Sequence, residues 1–233
     1  MKKIDSKLKH YFVAKIGLFS SIILLFQSCI PSLRTGDLLF QINDSNGFVD
    51  AILESTGDKE IAFSHVGILV KNRDSLYVIE ATPQRGVCTT PLIKFDSTLV
   101  IKPQYHQKFV YGSQRTLPLR PCNRGKALRA VSKAQTYLGL PYDYLFLPNN
   151  NAIYCSELVY LSYLNSKGEP IFDALPMNFK DHSGNISAFW QNYFTERGEI
   201  VPQDSLGTNP TDIAKSILKK YHSKQRKRLI YKP

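Results

Sequence analysis

The stretch YDYLFLPNNNAIYCSELVY, residues 142–160, determines how the rest of the chain is interpreted. Its first half holds Pro148 and the run Asn149–Asn151, which favour turns and give no periodic apolar face. From Cys155 onward apolar residues recur at helical spacing, and Gly168 supplies a stop. We therefore predict a loop followed by a helix whose N-terminus lies at or just after Cys155.

The position of Cys155 at a helix start has chemical consequences. Unpaired backbone N–H groups and the positive end of the helix dipole stabilise a thiolate there, and the thiolate is the nucleophile. Glu157 falls in the first turn, where the same dipole favours an anion. The alternative is a small cysteine buried in an apolar helix, which is a common arrangement. From this stretch alone, both interpretations stay open.

Two strands are predicted upstream, over FSHVGILV at 63–70 and LYVIEA at 76–81, around the polar run KNRD at 71–74. A turn centred on this run places His65 directly opposite Glu80. Opposed residues have Cβ atoms roughly 4.5–5.5 Å apart, within reach of an imidazole–carboxylate hydrogen bond. A shift of one residue in the register would separate the two side chains.

A histidine paired with a carboxylate is suited to general base chemistry. The carboxylate of Glu80 would fix the tautomer of His65 and support its imidazolium, leaving the second ring nitrogen to take a proton from a thiol. Together with Cys155, the pair follows the logic of a nucleophile, a base and an orienting group. The alternative is a structural His–Glu pair on a half-exposed sheet.

The remaining elements indicate an α+β protein, because the strands cluster early and the helices late. An amphipathic helix is predicted over 124–138, with Leu128, Val131, Ala134 and Leu138 on its apolar stripe. The other predicted elements are a turn and strand over 33–42, a short helix over 48–55, strands over 86–92 and 111–117, and helices over 186–196 and 212–221.

The net charge of +11 is located at the two ends of the chain. Residues 1–28 carry +4 and residues 211–233 carry +7, so the body between them is neutral. No basic surface motif interleaved with aromatic residues suggests a nucleic-acid partner. The sequence has no Cys-x-x-Cys and no His-x-x-x-His, so we expect no metal and no cofactor.

The N-terminus is interpreted as a bacterial lipoprotein signal over residues 1–28. A Lys-rich start precedes an apolar run at 16–26, which is too short for a comfortable membrane span, and then Gln-Ser-Cys29. Cys29 is the predicted acylation site, which places the protein in the bacterial cell envelope as a membrane-anchored lipoprotein facing the periplasm or the exterior. An uncleaved signal anchor is the alternative. In an exported protein Cys88 and Cys122 could pair, but the sequence does not fix their distance.

The basic C-terminal segment, residues 211–233, has apolar residues at helical spacing between lysines. Such a helix can lie on an anionic membrane surface. Its apolar stripe can equally pack on the folded body, with the charges in solvent. We treat the segment as a C-terminal helix and tail that follows a hydrolase domain over residues 29–210.

Three segments together resemble the YiiX/YebB-like hydrolases, which are circularly permuted relatives of papain and of the NlpC-type cell-wall peptidases. They are TGDLLF at 35–40, SHVGI at 64–68 with VIEA at 78–81, and PYDY at 141–144 with YCSELV at 154–159. The resemblance implies a papain-like α+β fold in which an antiparallel sheet packs on helices. It also implies Cys155 as nucleophile, His65 as base and Glu80 as orienting group.

The expected function is that of an envelope-anchored cysteine amidase or peptidase acting on cell-wall peptide or another amide. Backbone N–H groups at the start of the Cys155 helix would hold the oxyanion, helped by Tyr142. Tyr142 and Asp143 are the candidate substrate-binding residues, although both could simply order their loop. The alternatives are a lipid-directed acyl hydrolase or acyltransferase, and a non-catalytic lipoprotein that binds a ligand in the same cleft.

Overall fold

The computed structural model of the chain describes residues 33–42, 46–57, 61–73, 75–97 and 116–230. The predicted signal segment and Cys29 lie outside these residues. The strands within them are β1 (Leu38–Gln41), β2 (His65–Asn72), β3 (Ser75–Thr82), β4 (Gly86–Pro91), β5 (Leu117–Leu119), β6 (Leu175–Met177) and β7 (Ser205–Gly207). The helices are α1 (Gly47–Thr56), α2 (Leu92–Ser97), α3 (Arg124–Gln135), α4 (Cys155–Ser162), α5 (Ala188–Thr195) and α6 (Pro210–Ile230).

The described strands form a five-stranded sheet in the order β4-β3-β2-β1-β5, and β6 pairs with β7 in a separate ribbon. All neighbouring pairs in the large sheet are antiparallel. Helix α4 packs against β2 and α3, so the sheet carries helices on the side that bears the main core. Strands early and helices late give the α+β architecture that the sequence predicts.

The register of the β2–β3 hairpin differs from the prediction. Asn72 pairs with Ser75 and Ile68 with Ile79, so the turn lies one residue later than expected and the pairing is shifted by two. The polar run allowed either position of the turn, and Arg73 adopts a positive φ of 46° in the observed one. Because side chains alternate with a period of two, a shift of two residues leaves every side chain on its predicted face.

The buried face of α3 includes Val131 and Ala134 of the predicted stripe but not its two leucines. Leu128 and Leu138 are 45 % and 42 % exposed, and the helix ends before Leu138. The buried side chains are mostly alanines, including Ala127. The chain at Gly36 comes so close that a Cβ there would lie 2.5 Å from the Cβ of Ala127. Small residues therefore occupy this contact, and the two leucines lie outside it. The buried residues of α3 are Ala127, Ala130, Val131 and Ala134.

Two other predicted elements have different bounds in the structure. The strand expected over 111–117 is β5, Leu117–Leu119, and residues 111–115 of the prediction lie outside the described residues. The helix expected over 186–196 is the shorter α5, in which Ser187 caps the N-terminus by accepting a hydrogen bond from Trp190 N. Ser187 fixes the start of α5 because its side chain satisfies an unpaired helix N–H.

The C-terminal helix α6 is part of the folded body over its first half. It begins at Pro210, and Ile213, Ala214 and Ile217 are buried in the main core. The hydroxyl of Thr211 accepts a hydrogen bond from Phe63 N at 3.0 Å. The apolar stripe of the basic segment therefore packs on the body, and the boundary expected at residue 210 lies inside a packed unit. Side chains from residue 224 onward lie outside those that the structure describes.

Cys88 and Cys122 are free thiols. Cys88 lies on β4 and Cys122 follows β5, and these two strands are the opposite edges of the five-stranded sheet. Four inter-strand spacings of about 4.8 Å separate the edges by roughly 19 Å, far beyond the reach of a disulfide. Across the described part of the chain, no helix is both long and apolar enough to traverse a bilayer.

Candidate active site

Cys155 is the first residue of α4, as the sequence predicts. The preceding residue, Tyr154, has extended backbone angles and supplies no side-chain cap, so the first N–H groups of the helix are not used by its cap residue. Cys155 is 7 % exposed. The hydroxyl of the next residue, Ser156, donates to the carbonyl of Thr208 at 3.0 Å, which ties the helix start to the segment before α6.

His65 lies between Glu80 and Cys155. Its Nε2 donates to Oε2 of Glu80 at 2.7 Å, and the imidazole also hydrogen-bonds the thiol of Cys155. Since Nε2 is engaged by the carboxylate, Nδ1 is the nitrogen left to face the sulfur. The observed register makes His65 and Glu80 diagonal rather than direct neighbours, and they meet because both lie on one face of the hairpin.

The second oxygen of Glu80 is held by two residues that the sequence analysis missed. Arg85 Nη2 donates to Oε1 at 3.1 Å and to the hydroxyl of Thr90 at 2.6 Å, and that hydroxyl also hydrogen-bonds Oε1. Cys88 pairs directly with Glu80 across β3 and β4. The prediction of a strand after β3 indicates that residues near Cys88 lie close to Glu80. The sequence offers no signal that singles out Arg85 or Thr90 among them.

Charge and hydrogen bonding set the protonation of the pair. Burial alone would lower the pKa of His65, but hydrogen bonds to Cys155 and Glu80 and the charges of both groups raise it to about 10. Burial alone would raise the pKa of Glu80, whereas the hydrogen bond and charge of His65, with Thr90 and Arg85, lower it. The arrangement therefore favours an imidazolium at His65 paired with the carboxylate of Glu80.

Tyr142 is buried and lines the cavities on both sides of Cys155. Its loop is fixed to β4, because Val87 N donates to Leu140 O at 2.9 Å. Gly86 is required at this contact: it has a φ of 62°, and a Cβ would lie 2.2 Å from Leu140 O. Burial, and next the charge of Cys155, raise the pKa of Tyr142 well above its usual range, which keeps its O–H protonated.

Asp143 has a structural role in the loop. Its carboxylate accepts hydrogen bonds from Leu145 N at 2.8 Å and Leu147 N at 2.9 Å, and the residue is 1 % exposed. It lines neither cavity beside Cys155. Of the two candidate substrate-binding residues, the structure brings Tyr142 to the cleft and uses Asp143 to order the chain. The loop also turns at Asn149 and Asn151, which have positive φ, as predicted.

Glu157 is not the anion that its first-turn position predicts. It is 9 % exposed, and burial together with the charge of Asp143 raises its pKa to about 8. Its Oε2 has no hydrogen-bond partner among the described residues. Desolvation therefore outweighs the helix dipole, and Glu157 carries a proton at neutral pH.

Two cavities meet at Cys155. The apolar pocket, of about 220 Å³, is bounded chiefly by aromatic and aliphatic side chains, among them Ile52, Phe146, Met177, Phe179 and Trp190. The polar pocket, of about 780 Å³, is bounded by Gln41, His65, Glu80, Arg85 and Lys94. A carbonyl carbon held at the sulfur would thus have a different environment on each side.

No group of three or more His, Cys, Asp or Glu side chains suited to a metal ion occurs among the residues described. The trio can perform nucleophilic chemistry: a thiol at a helix start, an imidazole in contact with it, and a carboxylate that orients the imidazole. First-turn N–H groups beside the sulfur are placed to bind an oxyanion.

The chain is similar to known proteins in sequence and in fold. The chain is 31 % identical over 139 residues to YiiX of Escherichia coli K12, a protein without a characterised function, and the match covers 58 % of this chain and 59 % of YiiX. The chain thus spans about three fifths of that relative. A crystal structure of YiiX from Escherichia coli O157:H7, described as a metalloprotein, matches with a TM-score of 0.60 and 25 % identity, over 77 % of this chain and 91 % of that one. The family of permuted papain-like amidases, YaeF/YiiX or C92, matches residues 32–217, and the chain belongs to it.

Proposed function

We propose that this protein is a cysteine amidase or peptidase in which Cys155 is the nucleophile, His65 the general base and acid, and Glu80 the orienting group. The observation that carries the proposal is the continuous contact from Glu80 through His65 to Cys155 at the start of α4. Membership of a permuted papain-like amidase family supports the same class of reaction.

In the proposed reaction the sulfur of Cys155 attacks the amide carbonyl carbon, and the oxyanion receives hydrogen bonds from N–H groups at the start of α4. Tyr142, which is protonated and lines the cleft, is a further donor. The C–N bond then breaks as His65 gives its proton to the departing amine. A water molecule, deprotonated by His65, hydrolyses the thioester and regenerates the thiol.

Alkylation with iodoacetamide tests the reactivity of the trio, with Cys88 and Cys122 as internal controls. Cys155 is 7 % exposed whereas the other two are partly exposed, so access alone would make Cys155 the slowest to react. Burial raises the pKa of both control thiols. We expect Cys155 to react fastest at neutral pH and His65→Ala to slow it. Equal rates for all three thiols would refute the proposed nucleophile and favour a non-catalytic binding protein.

The substrate we propose is an amide of the cell envelope, such as cell-wall peptide. The support for this location is the sequence pattern ending at Cys29. Replacement of Cys29 by Ala should abolish incorporation of labelled palmitate and alter processing of the precursor. A Cys29→Ala variant that still incorporates palmitate would refute lipidation at this residue.

A lipid-directed acyl hydrolase is the second candidate, and the apolar pocket favours it. Leu175, which bounds that pocket, is 47 % exposed, and Leu206 on the neighbouring strand is 57 % exposed. An apolar rim of this kind suits an acyl chain that extends out of the cavity. This function would be favoured if the protein hydrolyses lipid amides or esters but not cell-wall peptides, and if Cys155→Ala abolishes that hydrolysis.

The related crystal structure is described as that of a metalloprotein, and we do not extend a metal to this chain. Cys155, His65 and Glu80 all carry metal-ligating groups, but the imidazole and the carboxylate are bonded to each other. Among the described residues no group of three or more His, Cys, Asp or Glu side chains is arranged to hold a metal ion.

A further inference from the structure

We infer that a basic surface on the folded body binds an anionic lipid bilayer and holds the cleft at Cys155 away from it. The surface is formed by α3 and the middle of α6, around the partly exposed Cys122. Docking of this kind is independent of whether Cys155 is catalytic. The cations of the basic surface are Lys126, Arg129, Lys219 and Lys220.

The two helices of the basic surface carry almost no negative charge. Helix α3 has four cations and no Asp or Glu, and α6 has no acidic residue after Asp212. Burial raises the pKa of Cys122, and the nearby charges of Lys126, Arg129 and Lys220 oppose that increase. In the described part of the chain, no carboxylate forms a salt bridge with these three cations. Their charges are therefore available to an external anion.

Asp37 is the carboxylate that also acts on Cys122, and Arg120 neutralises it. The Arg120 side chain donates from Nε to Oδ1 of Asp37 at 2.7 Å and from Nη2 to Oδ2 at 2.8 Å. The hydroxyl of Tyr221 donates to Arg120 O at 2.7 Å, which joins α6 to the chain just after β5. The ion pair thus fixes the two helices relative to the sheet and leaves the surface positive.

Exposed apolar side chains among these cations favour a bilayer over a soluble polyanion. Leu128 is 45 % exposed and Tyr221 is 40 % exposed, and each is next to a cation of the basic surface in the sequence. Such side chains can enter the headgroup region of a bilayer while neighbouring cations meet its phosphates. Cys29, the proposed lipidation site, precedes Leu33 by four residues, at most about 14 Å of extended chain.

The basic surface lies at the end of the sheet opposite the reactive side chains. His65 is the first residue of β2, and Lys71 is roughly 20 Å further along the strand. Lys71 N donates to the hydroxyl of Thr35 at 3.0 Å. The next residue, Gly36, lies against Ala127 of α3. The first turn of α3 is therefore at the far end of the sheet from His65.

Helix α4 has the same orientation. Cys155 is its first residue, and Tyr163 caps its C-terminus about 12 Å away. The hydroxyl of Tyr163 donates to Gly36 O at 2.8 Å, so the C-terminus of α4 reaches the same end of the sheet as the start of α3. A bilayer on the basic surface would leave the cleft open to the aqueous phase. Substrate would then reach Cys155 from solution.

Labelling with a bulky, water-soluble maleimide tests this orientation. The full chain is added to preformed phosphatidylcholine vesicles with or without phosphatidylglycerol, and mass spectrometry of peptides resolves each cysteine. We expect phosphatidylglycerol to slow the labelling of Cys122 by about tenfold or more, and high salt to restore it. Cys155, and Cys88 on the opposite edge strand, should keep their rates.

Matched variants assign the protection to the basic surface. Lys126→Gln should weaken binding to phosphatidylglycerol vesicles by about fivefold, and a double variant with Arg129→Gln by about tenfold or more. Lys126→Arg, which keeps the charge, should bind as wild type does. Lys180→Gln removes an exposed charge close in sequence to Asn178, which bounds the apolar pocket, and should leave binding unchanged. Unchanged alkylation of Cys155 in each variant would show that the fold is intact.

Several results would overturn the inference. Protection of Cys155 rather than Cys122 would place the cleft against the bilayer. Unchanged labelling of Cys122 with phosphatidylglycerol, or equal effects of Lys126→Gln and Lys180→Gln, would exclude the basic surface. Equal protection of Cys122 by soluble polyphosphate would assign the surface to a polyanion instead of a lipid. These outcomes leave the proposed chemistry at Cys155 intact, because the iodoacetamide experiment tests it separately.

Discussion

His65 and Glu80 meet on the diagonal of the β2–β3 hairpin rather than across it, at 2.7 Å between Nε2 and Oε2. Extending the pairing of Ile68 with Ile79 by one residue places Gly67 opposite Glu80. Since glycine has no side chain, Cγ1 of Val78 and the ring of Phe95 fill the space that a Cβ at Gly67 would need. The strand spacing at the pair thus depends on a residue that takes no part in the chemistry.

Replacement of Gly67 by alanine should disturb this pair. A Cβ at Gly67 would lie 2.3 Å from Cγ1 of Val78, so the two strands would have to separate. We expect a loss of about 1–3 kcal/mol in the free energy of unfolding and slower alkylation of Cys155. Gly125→Ala is the matched control, because its nearest neighbour would be 3.8 Å away and alanine favours its helix. Unchanged stability and alkylation in Gly67→Ala would refute the argument.

Replacement of Glu80 by glutamine should leave the fold intact and lower the pKa of His65. The carboxylate of Glu80 helps to hold that pKa at about 10, so its loss lets the imidazolium deprotonate at a lower pH. NMR titration of the His65 ring measures the shift, with Glu169→Gln at an exposed site as control. Turnover should fall by about tenfold or more, as for other partners that orient a ligand or base. Full activity would mean that another residue orients His65.

Glu157 should make stability depend on pH. Burial raises its pKa from 4.5 to about 8, so the folded state keeps a proton that the unfolded state releases. Its contribution to stability is complete below about pH 4.5 and is lost as the pH rises through about 8. Urea unfolding at pH 5 and pH 9 should show a smaller decrease for Glu157→Gln than for wild type. The same decrease in both proteins would show that Glu157 is ionised in the fold.

Thr211 should stabilise the junction between α6 and the segment that leads to His65. Its hydroxyl accepts from Phe63 N at 3.0 Å and donates to Phe63 O at 3.4 Å, and the residue is fully buried. Thr211→Val keeps the shape and leaves both backbone groups without this partner. We expect a loss of about 1–3 kcal/mol by denaturant unfolding. Thr136→Val, at an exposed site, is the control, and equal losses in the two variants would contradict this role.

The basic end of the chain should bind anionic membranes. The reactivity of Cys155 in the folded body should not depend on this end. Deleting residues 223–233 removes five Lys and Arg residues, each contributing about 1 kcal/mol near an anionic surface. The non-lipidated truncated protein should bind phosphatidylserine vesicles more weakly at low salt, with Cys155 alkylation unchanged. A full-length variant with the same five residues replaced by Gln separates charge from length. Equal vesicle binding by wild type and truncation would exclude a membrane role.

The sequence was sufficient to predict the fold class, the helix start at Cys155 and the shared face of His65 and Glu80. The shared face of His65 and Glu80 was predicted correctly despite a wrong register, because the side-chain period of a strand is two and the register is shifted by two residues. The face of α3 was not predictable in this way. Its alanines are buried because the chain near Gly36 approaches closely, and hydrophobicity alone favours the leucines.

The supports of the site depend on tertiary contacts that a sequence does not reveal. Arg85 and Thr90 reach Glu80 because β4 pairs with β3 in one particular register. Glu157 gains its proton from burial, which its helical position does not indicate. The walls of the apolar pocket come from several separate elements, so no single motif encodes it.

The contact between Thr211 and Phe63 has a consequence for the order in which the site is assembled. A ribosome delivers the hairpin with His65 and Glu80 first, Cys155 much later, and the segment from Gly207 to Asp212 after that. That last segment forms one wall of the apolar pocket and closes against the chain just before His65. Because domains are synthesised from the N-terminus, a nascent chain holds all three reactive side chains before it has an enclosed cleft. This wall of the apolar pocket, and not the nucleophile, is the last part of the site to be made.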